Sequence, residues 1–201
     1  MVVRARVNFP GPDVPTVPLD NLLDDLFRQL DDTLYQIEEE IVRSLFGFAG
    51  RLQTGQFGGS IEARICEIVE DLAGKCGYCA RVHAGAPGWL WDKVWFKKRE
   101  TQAVIQSPYP TLIYDRASEW AKVEGLKLVC ESEWKRDIDE ILKDFLKLVF
   151  VEAEFRLFVY QYQDKTADLC KAVVPWTSSR RFLLVGFAKD RAEFQVDSFV
   201  S

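Results

Sequence analysis

The chain has 201 residues, 48% of them apolar, with a net charge of −5, which suffices for one well-packed domain but leaves little room for a second independent core. Net acidity argues against a protein that coats nucleic acid non-specifically, because such binding depends on Lys and Arg neutralising phosphates. The sequence has no run of ~18 uninterrupted apolar residues, and Met1-Val2-Val3-Arg4-Ala5-Arg6 lacks the apolar core of a signal peptide, so a soluble, cytoplasmic protein without a membrane partner is expected.

Along the chain, Pro10, Pro12, Pro15 and Pro18 suppress helix and predict an irregular or extended arm over residues 1–18. Asp20 is a good N-cap, and Leu23, Phe27, Leu30, Leu34, Ile37, Ile41 and Leu45 follow at steps of three and four. This predicts an amphipathic helix over 20–46. Its remaining faces are charged, as at Asp24-Asp25, Asp31-Asp32 and Glu38-Glu39-Glu40. The apolar stripe must be covered, either by the chain's own domain or by a second copy in a homodimer. Residues 51–60 read as a linker, so the division expected is an arm, long helix and linker over 1–59 and a domain over 60–201.

A second helix is predicted from Ile61 to Ala73, ended by Gly74. Strands follow at Tyr78–Ala84 and Trp89–Lys98 around the turn Gly85-Ala86-Pro87-Gly88, with further extended segments at 102–106 and 111–121. From Leu126 to Glu133 an apolar strand ends in Glu131-Ser132-Glu133-Trp134-Lys135. Alternation places Leu126, Leu128 and Cys130 on one face, and Val129, Glu131, Glu133 and Lys135 on the other. A helix over 136–150, the near-continuous apolar strand Phe155–Tyr160, a helix over 164–173 and two late strands complete a mixed sheet with helices packed on it.

The paired acids are the chief chemical signal. Like charges side by side at the end of a buried strand are unfavourable unless something positive, most simply a divalent metal, lies between them. Asp92 is the only charge on its strand face, shared with Leu90, Val94 and Phe96. Together with Glu131 and Glu133 it forms an oxygen-rich set suited to Mg2+ or Mn2+. Lys93, Lys97, Lys98, Arg99 and the pair Arg180-Arg181 are basic clusters for which a solvated face is the simplest reading. The Cys76-x-x-Cys79 spacing lacks a second pair nearby, so buried structural thiols are expected, and an odd total of five cysteines fits a reducing compartment.

Trp89-Leu90-Trp91-Asp92, then Leu128-Val129-Cys130-Glu131-Ser132-Glu133-Trp134, then Asp144-Phe145-Leu146-Lys147-Leu148 resemble the PD-(D/E)XK nuclease superfamily. The closer likeness is to bacterial proteins of unassigned role whose third core strand ends in ESEW. The resemblance spans Ser60 to Tyr160, about half the chain, and implies a restriction-endonuclease-like α-β-β-β-α-β core in the α/β (α+β) class. It implies a Mg2+- or Mn2+-dependent endonuclease or exonuclease acting on DNA, with Asp92 and Glu131 as metal ligands. Glu133 stands where most members carry the motif lysine, as in the E-x-E variants among restriction enzymes, and could serve as general base or added ligand. The amine would come from Lys147 on the following helix or from Lys135. Glu62 is the candidate for a helix-borne ligand, with Glu67 beside it, and Asp115 competes with Asp92 for the motif aspartate. The alternative is a catalytically inactive nuclease-fold module that binds a partner through helix 20–46.

Overall fold

The computed structural model describes residues 2–8, 33–53, 59–82, 92–98, 123–163, 165–174, 181–188 and 193–200. Its strands are β1 (Val2–Asn8), β2 (Cys79–Val82), β3 (Lys93–Lys98), β4 (Val123–Glu133), β5 (Phe155–Gln161), β6 (Arg181–Ala188) and β7 (Glu193–Val200). The helices are α1 (Thr33–Gln53), α2 (Ile61–Lys75), α3 (Ile138–Val149) and α4 (Thr166–Ala172). The seven strands form one mixed sheet in the order β1-β7-β6-β5-β4-β3-β2. Pairing is parallel between β4 and β5 and between β5 and β6, and antiparallel elsewhere.

The sheet is the middle of three layers. Ile41, Val42, Leu45, Phe48 of α1 and Ile65, Val69, Leu72 of α2 pack on Trp95, Leu128, Cys130, Leu157, Leu183 and Val185 from one side. Ile141, Phe145 and Leu148 of α3 and Cys170 of α4 pack on Val94, Val129, Phe158, Leu184 and Phe199 from the other. Because both faces of β5 are covered, Phe155 to Tyr160 are all buried, which is why that strand reads as a continuous apolar run. The mixed α/β class and the closing β6–β7 hairpin agree with the expectations from periodicity.

Several details differ from the sequence reading. The arm of residues 1–18 contains β1, an edge strand on β7. The helix expected to close at Phe46 continues to Gln53, because Phe48, Ala49 and Leu52 prolong the buried stripe. Both described parts of the segment 1–59 therefore join the sheet and its core. Residues 20–32, the segments 102–106 and 111–121, Asp115, His83, Leu90 and Trp91 lie outside the described residues.

Three charged positions read as solvent-facing, Glu38, Lys93 and Arg181, are buried. Glu38 is fully enclosed and receives both Nε and Nη2 of Arg181 at 2.8 Å, with Ser198 Oγ donating to it at 3.2 Å. Lys93 is likewise enclosed, its ammonium 2.7 Å from Glu70 Oε2. Each buried charge is tolerated because it is paired. Leu126 is also on the opposite face from that expected: it packs with the α3 layer. On β3 the neighbours Trp95 and Phe96 pair with Leu128 and Leu126, so Lys127 is an extra residue, a β-bulge that resets the alternation.

The cysteines are unpaired thiols. Cys130 and Cys170 are buried as expected, whereas Cys66, Cys76 and Cys79 are partly accessible. No helix among the described residues is long and apolar enough to cross a membrane.

Candidate functional site

Two sheet registers bring the site together. The antiparallel β3–β4 ladder ends with Lys93 opposite Cys130, and one residue further on each chain stand Asp92 and Glu131. The two carboxyls are close enough for Asp92 to be the leading charge that raises Glu131. Glu131 follows Val129 onto the α3 side of the sheet, where Lys147 meets it, while the Asp92 carboxylate turns to Ser132. Asp92 is fixed by β4: its Oδ2 accepts hydrogen bonds from Ser132 N and from Ser132 Oγ, each at 2.8 Å.

Glu131 is 1% exposed. Its Oε2 is 3.1 Å from Lys147 Nζ, and its Oε1 is buried with no hydrogen-bond partner. Lys147 reaches it because α3 crosses β4 directly after the connecting turn. The helix starts at the N-cap Asp137, whose side chain accepts from Asp139 N at 2.9 Å, and it sinks Ile141, Phe145 and Leu148 into the core. That rotation leaves Asp144 and Lys147 on the flank facing the β4 acids. Lys147 Nζ is 2.6 Å from Asp144 Oδ1, a pair spaced i,i+3.

The electrostatics follow from burial. Desolvation, reinforced by Asp92 and Asp144, pushes the Glu131 carboxyl up to about 8, against the opposing pull of Lys147. Glu133, 6% exposed, is raised by burial and by a hydrogen bond with Asp144, while Lys135 N donating to its Oε1 at 2.7 Å works the other way. Burial alone would lower the Lys147 ammonium, but its contacts with Asp144 and Glu131 outweigh that and raise it. The result is one lysine between two pairs of acids, Asp92 and Glu131 on one side and Asp144 and Glu133 on the other.

The structure thus joins Asp92, Glu131, Glu133 and Lys147 and separates the other candidates from them. The Lys135 ammonium is exposed and turns to Glu140 Oε2 at 3.5 Å, leaving only its backbone N–H in the site. Glu62 is exposed in the first turn of α2, and Glu67 pairs with Arg64 at 2.6 Å. Asp144 is the residue that sequence reasoning did not single out, although its spacing of three from Lys147 on a predicted helix was available as a signal. Cys66 lies behind the site on α2, its thiol pushed up to about 11 by burial first and then by Asp92.

Oxygen ligands for a hard divalent cation are present in Asp92 and Glu131, and the unpartnered, buried Oε1 of Glu131 is the feature that fits one best. With Glu131 turned to Lys147 and Asp92 to Ser132, no three acidic, histidine or cysteine side chains converge as a ligand group among the described residues. Compared with protein-family models, with curated proteins and with solved structures, the chain matches none.

Proposed function

We propose that this protein is a metal-dependent nuclease of the PD-(D/E)XK type that hydrolyses phosphodiester bonds in DNA. The observation that carries the reading is Asp92, one residue before β3, close enough to Glu131 on β4 to raise its carboxyl, with a lysine on one Glu131 oxygen and no hydrogen-bond partner on the other. Among the described residues the run of elements from α2 to β5, helix, three strands, helix, strand, supports it as the order the family would require.

In this reading Asp92 and Glu131 hold Mg2+ or Mn2+. The ion would supply an activated water and neutralise charge building on the phosphate. Ser132 keeps Asp92 in place through two hydrogen bonds, so the aspartate need not reorganise when substrate arrives. Lys147 stands where its ammonium can oppose the negative charge that develops on the phosphoryl oxygens. Glu133, with its raised affinity for a proton, is suited to accept one from water and pass it on.

The expected result is cleavage of plasmid or linear DNA by the full chain in Mg2+ or Mn2+, abolished by EDTA and reduced at least about 100-fold in D92A and E131A. Cleavage that survives either substitution would remove these residues from the site. The rival reading, an inactive module acting through the 20–46 helix, draws nothing from the described part of that helix, whose apolar face is spent on the protein's own core.

A further inference from the structure

Lys147 has, among its contacts, two ties of unequal kind. Its ammonium lies 2.6 Å from Asp144 on its own helix and 3.1 Å from Glu131 on β4. The first tie moves with α3, whereas the second reaches across to a carboxylate that is 1% exposed. Lys147 itself is 28% exposed, so its four-carbon stem can carry the ammonium outward without disturbing the core. Asp144 also lies within hydrogen-bonding reach of the Glu133 carboxyl, so two acids gather at the outer end of that movement.

We propose that Lys147 is the resident counter-ion of Glu131, that a divalent cation takes over Glu131 in competition with it, and that Asp144 receives the displaced ammonium. This rests on the metal-site reading given above. A buried carboxyl gives up its proton only against a cation, and two cations on one carboxylate repel each other at short range. With the lysine seated, Glu131 is neutralised and the protein folds without metal. With the lysine shifted to Asp144, both Glu131 oxygens are open while the amine stays beside the reacting phosphate. Asp144 is then a positioning residue acting through Lys147. The coupling of lysine position to cation affinity is an exchange between two states of one side chain, of the kind typically worth about 5- to 150-fold.

The test is calorimetric titration of the full chain with MnCl2, alongside K147M, D144N, the double variant and E131Q, with thermal unfolding in EDTA as a check on folding. K147M should bind Mn2+ about tenfold tighter, since the competitor is gone, and D144N about fivefold weaker, since the lysine has lost its second seat. In the K147M background D144N should change affinity less than about twofold, because its effect runs through the missing ammonium. K147R, which keeps the charge, should stay close to the unaltered protein, and K147Q replaces K147M should the latter not fold. Binding that is lost in E131Q but no tighter in K147M overturns this inference alone. Loss of binding in D144N in both backgrounds makes Asp144 a ligand and overturns its positioning role. An unaltered protein that binds no Mn2+, or binds it equally in E131Q, overturns the metal-site reading and this inference together.

Discussion

Glu131 is held between a lysine that favours its charge and a buried site beside Asp92 that opposes it. Burial first, then Asp92, push its carboxyl from the ordinary 4.5 up to about 8, with Lys147 opposing them. Between those two values the native state binds more protons than the unfolded chain, so this group lowers stability as pH rises through the window. With divalent ions chelated, the thermal midpoint of the unaltered protein should fall from pH 5 to pH 8.5 by more than that of E131Q, which has no proton to lose. Parallel profiles would mean that Glu131 is ionised throughout. The acids of the ESE segment were legible in the sequence because strand alternation alone puts Glu131 and Glu133 on one face. Lys93 and Glu38 were not, because their burial depends on Glu70 and Arg181, partners that no local pattern names.

Among the elements, β4 shows both the reach and the limit of periodicity. Its apolar run is evident, yet the bulge at Lys127 reverses the face of Leu126, and nothing in the residue types announces it. The bulge leaves Lys127 over the Tyr78 ring at 5.8 Å and paired with Glu154, which gives the extra residue its own partners. The β5–β6 pairing carries a second constraint, at Gly186 opposite Tyr160. A Cβ at Gly186 would lie 2.8 Å from Tyr160 Cζ and 2.9 Å from its hydroxyl oxygen, inside contact distance of a ring that is fully buried. G186A should therefore destabilise the protein by about 1–3 kcal/mol in denaturant unfolding, the usual effect of overfilling a packed layer. A variant as stable as its parent would mean that the ring can move aside.

For the molecule as a whole, the order of helices and strands from Ile61 onward is legible in the sequence, whereas the part that β1 and α1 play in the sheet and its core is not. The sheet uses β1 as its edge, and α1 roofs the β6–β7 end of one layer. That helix is anchored by the enclosed trio of Glu38, Arg181 and Ser198, which joins residues 143 and 160 positions apart and so leaves no trace in local spacing. The same whole-sheet arrangement creates the site: the β3–β4 ladder ends next to Asp92 and Glu131, and the crossover through α3 to β5 brings Lys147 to Glu131. The central claim is that Asp92 and Glu131 together hold a divalent cation. Anomalous diffraction at the manganese edge, from crystals of the full chain soaked in MnCl2, tests it most directly. The account predicts one Mn2+ bonded to oxygens of both Asp92 and Glu131, with the Lys147 ammonium moved to Asp144. A manganese peak elsewhere, or Glu131 still paired with Lys147 and no peak beside it, would contradict it.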